Sequence, residues 1–364
     1  MLDCKEAYEL ICEAINRKVK FNEFKTIFFQ NKTDIKDDNT KTKEVKQEDN
    51  YVEVKRFAAN FYKAPIVNYK GYINGKSKKD KSRYSEVISS ILLSKDFLKA
   101  WKELAPVRSN HFDTKHAFSE SVNMEQLQGT NRKEEILAKL LFYQRVVYGL
   151  GYIFDYQTPL KKTRNDSYGK IDLLGYNKCD ECYSVIELKY RPAGSEETLL
   201  RCILEAYTYY KLLDLKQLKS DVGHAGIKEL KKLPKYTHTD KAELVILFDE
   251  KSRTKEDGGA DSNLMLRVKP KIDSKTVDIA SYPSETVISQ QYKECLELVN
   301  TDKRDSLRTL CDKILEQEPN LKQIRFVVLR VDSNSKKNHP EYITGWDENL
   351  DRFYRAETLL TISK

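Results

Sequence analysis

Residues 170–190 read KIDLLGYNKCDECYSVIELKY. Two apolar runs in this segment are separated by a short polar turn, which is the spacing of a β-hairpin. Successive side chains point to opposite faces of a strand, so Glu187 and Lys189 share one face. Pairing through the turn brings Asp172 within side-chain reach of both residues. The segment therefore predicts two carboxylates and one ammonium group on the same patch of a largely buried sheet.

The hairpin lies in the middle of a regular order of elements. Before it, the hydrophobic pattern predicts a helix over 132–148 and a strand over 152–157. After it, the pattern predicts a helix over 195–213 and a buried strand over 243–248. A strand, a helix and another strand in succession imply a right-handed crossover onto a mixed sheet. We therefore expect an α/β fold in which helices cover the faces of a mixed central sheet.

The regions on either side of this core carry fewer signals. The chain divides into a mostly helical N-terminal region with polar loops over 1–130, a core over 131–250, and a C-terminal α/β extension over 251–364. The patterns leave open whether the extension completes the central sheet or forms a unit of its own. Outside the core, helices are predicted over 3–17, 84–104 and 292–316, and a strand is predicted over 324–331.

The composition is that of a soluble globular protein. The 364 residues include 64 Lys plus Arg and 56 Asp plus Glu, a net charge of +8, and 40% are hydrophobic, which excludes collagenous and low-complexity chains. The seven cysteines are odd in number and scattered, which favours free thiols in a reducing compartment. No apolar run is long enough for a membrane helix, and the first residues lack a signal-peptide pattern. We expect a cytoplasmic protein with no membrane partner.

The charged patch on the hairpin predicts a metal site. Two carboxylates and an ammonium group in a buried sheet are costly unless they are compensated, and a divalent cation is a natural compensator. The oxygen ligands of Asp172 and Glu187 suit Mg²⁺ or Mn²⁺. Such a cation polarises a scissile phosphate and lowers the pKa of a bound water, while Lys189 orients that water or stabilises developing charge. The patch therefore predicts phosphodiester hydrolysis.

These residues and their setting resemble the PD-(D/E)xK nuclease superfamily, which has the restriction-endonuclease-like fold. Asp172 matches the metal-binding Asp of that family, Glu187 matches its second acidic residue, and Lys189 matches its lysine. Ile171 stands where the family name has proline, a position that varies within the superfamily. The resemblance covers roughly 132–249. It implies a mixed sheet flanked by helices and a metal-dependent nuclease activity.

Two further features resemble members of this superfamily. Glu135, or Glu134 beside it, begins the helix before the first strand, where many members carry an acid that completes the metal site. The alternative is an ordinary first-turn Glu favoured by the helix dipole. Glu205 and Tyr209 lie four residues apart on one helix face and resemble the Gln-x-x-x-Tyr motif of RecB-type nucleases, with Glu in place of Gln. The alternative is a surface Glu paired with Arg201 and a packed Tyr.

A basic loop follows the first predicted strand of the core. Lys161, Lys162 and Arg164 form one of several positive clusters that can follow a phosphate backbone. In so lysine-rich a chain, a solvated surface explains such clusters equally well. This loop is the candidate nucleic-acid contact, and double-stranded DNA is the expected partner.

The predicted function is metal-dependent phosphodiester hydrolysis by a DNA endonuclease in prokaryotic genome defence or restriction. A compact nuclease core with large additions and no helicase motif resembles stand-alone enzymes of that kind, and repair and mobile-element nucleases share the core. The main alternative is a catalytically silent nucleic-acid-binding module of the same fold, and a protein-interaction scaffold is a further one. Because many members of the superfamily cut both strands as dimers, a homodimer is also expected.

Overall fold

The computed structural model describes residues 55, 57–70, 83–94, 97–107, 133–160, 168–190, 197–224, 239–249, 251–253, 286–300, 305–332 and 353–364. Their helices are α1 (Tyr84–Ser94), α2 (Lys99–Lys102), α3 (Lys133–Gln144), α4 (Leu199–Leu212), α5 (Leu215–His224), α6 (Gln290–Asn300) and α7 (Ser306–Gln317). Their strands are β1 (Val146–Val147), β2 (Gly151–Pro159), β3 (Lys170–Asn177), β4 (Cys182–Lys189), β5 (Ala242–Asp249), β6 (Lys251–Arg253), β7 (Thr286–Ile288), β8 (Leu321–Asp332) and β9 (Phe353–Ser363). Two short 3₁₀ turns, Phe61–Lys63 and Pro65–Asn68, precede α1.

The central sheet is mixed and has seven strands in the order β1-β2-β3-β4-β5-β8-β9. Strand β4 is parallel to β5, and β5 is parallel to β8, while the other neighbours are antiparallel. The sheet curls until its edge strands meet, where the backbone N–H of Ala356 donates to the carbonyl oxygen of Tyr148 at 2.7 Å. The predicted α/β class, with a mixed sheet and flanking helices, is confirmed.

Helices α3 and α4 cover opposite faces of this sheet. Side chains alternate along β4, so Val185 packs in the core beneath α4 and Ile186 packs in the core beneath α3. All residues of β4 and β5 are buried, as expected for central strands that are covered on both faces. Glu187 and Lys189 follow Val185 at two-residue spacing. The charged pair therefore faces α4, at the end of the strand.

The predicted elements of the core are present. The structure corrects three of the predicted helices: one ends earlier, and two are each divided into two helices. The helix predicted over 132–148 ends before Arg145, whose φ of 66° is left-handed, and the chain then pairs as β1. The helix predicted over 292–316 is the two helices α6 and α7, because Asp305 starts α7 as a cap that accepts backbone N–H groups. The helix predicted over 84–104 is likewise divided into α1 and α2.

Residues from both flanking regions pack onto this core. Strand β8 pairs with β5 and β9 pairs with β8, so the extension continues the central sheet. In the N-terminal region, the Nε1 of Trp101 donates a hydrogen bond to the hydroxyl of Thr208 on α4 at 3.0 Å. The helix predicted over 3–17 lies outside the described residues. Among the described helices, none has the length and apolar character required to span a membrane.

Candidate active site

Asp172 lies where the pairing between β3 and β4 ends. The antiparallel ladder stops with Leu173 opposite Ile186. Beyond that pair, the Oδ2 of Asp172 accepts a hydrogen bond from the backbone N–H of Leu188 at 2.9 Å. Its Oδ1 accepts a second hydrogen bond from the side-chain amide of Gln157 at 2.8 Å. The carboxylate takes the place of a backbone acceptor and is thereby fixed beside the end of β4.

The ammonium group of Lys189 lies among three carboxylates. Its Nζ forms an ion pair with Glu187, and it lies 3.0 Å from the Oε2 of Glu197 and 3.1 Å from the Oε2 of Glu205. All four side chains are buried. Because a buried charge is tolerated only when it is paired, the three carboxylates keep Lys189 in its charged form.

Glu205 and Tyr209 extend this cluster from helix α4. The hydroxyl of Tyr209 donates to the Oε1 of Glu205 at 2.9 Å and lies 3.2 Å from the hydroxyl of Tyr62. Gly169 makes room for the phenol, because a Cβ there would lie 2.6 Å from the Tyr209 oxygen, and its φ of 108° favours glycine. Arg201 also approaches Glu205, at 3.9 Å. Glu205 is therefore a buried member of the cluster, although it lies on a helix.

The acid that approaches the strand ends from α3 is Glu134. Its Oε2 accepts a hydrogen bond from the backbone N–H of Tyr190 at 2.8 Å. Tyr190 directly follows Lys189, so Glu134 lies at the same end of β4 as the lysine cluster. Glu135, which the sequence analysis named ahead of Glu134, is the next residue of α3 and is half-buried. Of these neighbours, Glu134 is the one that this contact links to the end of β4.

Glu197 is a site residue that the sequence pattern did not predict. It lies immediately before Thr198, the N-cap residue of α4, and two side chains of α6 hold this start of the helix. The side-chain amide of Gln291 donates to the backbone oxygen of Glu197 at 2.7 Å, and Glu294 accepts from the backbone N–H of Leu199 at 2.5 Å. An acidic residue at the start of a helix is a recognisable signal. However, the sequence pattern predicts a helix over 195–213, in which Glu197 is an ordinary residue of the first turn.

Burial and mutual repulsion change the protonation of these groups. Burial, together with the nearby charge of Glu134, raises the pKa of Asp172 to about 8. Burial and the charge of Glu205 hold the pKa of Glu187 well above its usual range. Burial opposes the charge of Lys189, but the surrounding carboxylates outweigh it and hold its pKa well above the usual value. Unless another positive charge enters, Asp172 and Glu187 retain protons near neutral pH, whereas Lys189 and Arg201 outweigh burial and hold the pKa of Glu205 below its usual value.

Comparison with family models, with curated proteins and with solved structures finds no match for this chain. The chemistry of the site is therefore argued from its own geometry. Carboxylates with raised pKa values, adjacent to a lysine that stays charged, form a site that can bind a cation or exchange a proton.

The residues present fit a hard divalent cation. Within the described ranges, no group of three or more His, Cys, Asp and Glu side chains is preassembled as a metal-ligand set, because the ammonium group of Lys189 lies between the carboxylates. However, the Oε2 of Glu187 is buried and accepts no hydrogen bond from a described N–H or O–H group. A bound cation would satisfy this oxygen and displace the protons that Asp172 and Glu187 otherwise retain. Asp172 and Glu187 are therefore the donors that suit Mg²⁺ or Mn²⁺.

Two described cations lie at the edge of this cluster. Burial lowers the pKa of Lys63. The charge of Glu205 opposes this effect and the charge of Arg201 adds to it, so the side chains of Lys63, Glu205 and Arg201 lie close together. The side chain of Arg201 is 25% exposed, which leaves it accessible to an anion from solvent. The basic residues Lys161, Lys162 and Arg164, predicted to contact nucleic acid, lie outside the described residues. Lys63 and Arg201 are therefore the described cations at this edge, and the nucleic-acid contact of Lys161, Lys162 and Arg164 stays a prediction.

The metal-free protein is expected to lose stability as pH rises from about 4 to about 8. An acid whose pKa is higher in the folded than in the unfolded state stabilises the fold fully below its unfolded pKa. That contribution is lost as pH rises through the folded pKa, here from 3.8 to about 8 for Asp172. One pKa unit corresponds to about 1.4 kcal/mol, so the loss is on the order of 5 kcal/mol. Urea unfolding in EDTA across this pH range measures it.

The variant Asp172→Asn serves as the control for this pH dependence. An amide has no titrating proton at this position, so the slope of unfolding free energy against pH should become shallower in the variant. Added Mn²⁺ should also flatten the slope of the unsubstituted protein, because a bound cation replaces the protons. A stability that rises with pH over this range would show that the carboxylates are ionised without a cation.

Proposed function

We propose that this chain is a metal-dependent nuclease that hydrolyses phosphodiester bonds in DNA, on a restriction-endonuclease-like core. One observation carries the proposal: Asp172, Glu187 and Lys189 converge at the ends of neighbouring strands, with the lysine charged among buried carboxylates. Lys189 lies at the carboxyl end of β4, one of the parallel strands of the sheet.

Asp172 and Glu187 would hold Mg²⁺ or Mn²⁺ in this proposal. Glu134 is a better third ligand than Glu135, because its carboxylate contacts the end of β4 and its charge acts on Asp172. When bound, the cation supplies polarisation of the scissile phosphate and a lowered pKa of a bound water. The hydrogen bond from the side-chain amide of Gln157 keeps the Asp172 carboxylate in position for this role.

Lys189 would serve the attacking water and the phosphate. Its ammonium group stays charged and can stabilise the negative charge that develops on the phosphate in the transition state. Glu205 and Tyr209 act as supporting residues, because Glu205 holds the ammonium group at 3.1 Å and Tyr209 holds Glu205 at 2.9 Å. This chain of contacts fixes the lysine before substrate binds.

The substrate and the setting follow from the motif resemblance and the charge distribution. Double-stranded DNA is the proposed substrate, with the phosphates approaching over the edge formed by Lys63 and Arg201; Lys161, Lys162 and Arg164 are further candidate contacts from the sequence alone. These cations would offset the repulsion between phosphates and the carboxylates of the site. A role in restriction or genome defence, a homodimer and a cytoplasmic location belong to the same proposal.

A silent nucleic-acid-binding module of this fold is the main competing function. The burial of Asp172 and Glu187 argues against it, because their raised pKa values make both carboxylates a source of instability. Unfavourable ionisable groups of this kind are concentrated at functional sites, where activity outweighs their effect on stability. A module that only binds DNA would gain stability from amides at the same positions.

The test is cleavage of supercoiled, linear double-stranded and single-stranded DNA in Mg²⁺, Mn²⁺ or EDTA. We expect cutting with either metal and none in EDTA. The variants Asp172→Asn and Glu187→Gln should each lower the rate at least about 100-fold, since each removes a charged group at the reacting centre. Asp240→Asn is the matched control, because Asp240 precedes β5 at the opposite end and is 62% exposed.

Each other outcome of this test has a definite meaning. If the protein binds DNA but cuts none with any metal, the silent module replaces the proposed enzyme. If both variants cut as fast as the unsubstituted protein, the active site lies elsewhere. The substrate form that is cut distinguishes endonucleolytic restriction or nicking from the processing of ends.

A further inference from the structure

Asp249 is a buried carboxylate that accepts no hydrogen bond from another described residue. It is the last residue of β5, is only 3% exposed, and neither of its carboxylate oxygens accepts a hydrogen bond within the described part of the chain. An ionised carboxylate in this state is strongly unfavourable, and a protonated one would still need an acceptor for its O–H. An unsatisfied group of this kind is what a bound ion or ligand would satisfy.

The register of the sheet places Asp249 at the same edge as the candidate active site. The parallel pairing of β4 with β5 sets Lys189 beside the residue that precedes Asp249. Leu247, two residues earlier, packs beneath α3, so Asp249 also points to the α3 face. Glu134 begins α3 and accepts a hydrogen bond from Tyr190 at this edge. Both acids therefore lie at the edge where α3 begins and β5 ends, near enough for Glu134 to act on the pKa of Asp249.

Asp249 is on the opposite face from the lysine cluster, whereas Glu134 lies near both: burial raises the pKa of Glu134, and the nearby charge of Lys189 opposes that effect. Lys189 points toward α4, whereas Asp249 points toward α3, so the ammonium group does not compensate Asp249. Among the described residues, Glu134 is an ionisable neighbour of Asp249; burial raises the pKa of Asp249, and the negative charge of Glu134 raises it further. Glu134 acts in the same way on Asp172. The strand ends therefore carry a row of acids with Glu134 in the middle.

We propose that Glu134 and Asp249 form a second divalent-cation position, on the α3 face of the strand ends, that takes Mg²⁺ or Mn²⁺. Mg²⁺ is commonly held by one or two carboxylates, with waters and substrate phosphates completing its coordination, so a pair of acids is sufficient. The inference deepens the proposed function, and its catalytic meaning rests on that function. The binding of the ion depends only on the two acids.

The experiment counts Mn²⁺ ions bound per chain by the EPR signal of free Mn²⁺ during titration of the full-length, metal-free protein. We expect two bound ions for the unsubstituted protein and one for Asp249→Asn, with Glu187→Gln also retaining one. Asp240→Asn should retain both ions. Thermal unfolding confirms that Asp249→Asn is folded, and without metal this variant should be more stable than the unsubstituted protein, because an amide replaces an unpaired carboxyl.

The other outcomes separate this inference from the proposed function. Two ions bound both before and after Asp249→Asn would overturn the second position, as would one ion bound by both proteins. Neither result affects the proposed cation site at Asp172 and Glu187, which the DNA-cleavage experiment tests separately. No bound Mn²⁺ together with no DNA cleavage would remove both proposals. Glu134→Gln provides a second variant: it should weaken the ion that Asp249→Asn removes and, because Glu134 is also the proposed third ligand of the first position, the ion that Glu187→Gln removes.

Discussion

Replacing Lys189 by methionine is expected to lower the rate of metal-dependent DNA cleavage at least about 100-fold. Methionine keeps much of the side-chain volume but has no charge to stabilise the phosphate in the transition state. The substitution also leaves Glu187, Glu197 and Glu205 without the cation that lies among them. Breaking a buried ion pair from one side typically costs about 3–5 kcal/mol, so the variant must be shown to be folded.

Two controls separate lost chemistry from lost folding in the Lys189 experiment. Lys211→Met removes a half-buried lysine that lies on the same helix as Glu205 and pairs with Glu318 at 2.9 Å, and it should leave the cleavage rate unchanged. The double variant Lys189→Met with Glu205→Gln reduces the uncompensated negative charge, so it should recover stability without recovering cleavage. Cleavage by Lys189→Met at the unsubstituted rate would remove the lysine from the mechanism.

Arg325→Met is expected to lower the free energy of unfolding by about 3–5 kcal/mol, the usual cost of leaving one member of a buried ion pair alone. The guanidinium of Arg325 binds both carboxylate oxygens of Glu243, at 2.7 and 2.9 Å, and Glu243 has no exposed surface. Ser184 and Gln323 also donate to this carboxylate, but they carry no charge. Urea unfolding at constant pH measures the loss.

The location of this pair makes it a test of stability alone. Glu243 lies beside Ser184 at the beginning of β4, whereas Lys189 ends that strand. Cleavage by Arg325→Met should therefore be normal at temperatures where the variant is folded. The double variant Arg325→Met with Glu243→Met should be more stable than the single one, because apolar residues of similar size often replace a buried ion pair with little loss. An unchanged unfolding free energy in Arg325→Met would show that solvent reaches the pair.

The central strands could be predicted from the sequence because their signals are local. Strand β5 is a continuous apolar run, and the two strands of the hairpin alternate about a short turn. The end of α3 could not be predicted in the same way. Gln144 exchanges two hydrogen bonds of 2.7 Å with the backbone of Tyr354, a partner far away in sequence, and the helix stops there. Contacts of this kind arise only after the chain has folded.

The same distinction applies to the candidate site. Strand alternation and helix spacing place Asp172, Glu187 and Lys189 together, and they place Glu205 and Tyr209 on one helix face; these are the groups that the structure joins in one cluster. The sequence could not indicate which helix acid approaches the strand ends, because that depends on how α3 packs on the sheet. The sequence pattern also did not assign Glu197, Tyr62 or Asp249 to the site, because these residues reach this edge of the sheet through tertiary packing.

The pairing of β5 with β8 has a consequence for how this chain can be divided. A fragment over 131–250 contains every residue of the nuclease-like motif. However, without β8, strand β5 would become an edge strand, with apolar side chains and unpaired backbone N–H and C=O groups exposed to solvent. Such borders recruit strands from other molecules. The fragment would also lack the α6 side chains that hold the beginning of α4. We therefore do not expect the segment with the motif to fold by itself. A fusion protein that is to contain a folded core would need the chain through residue 364.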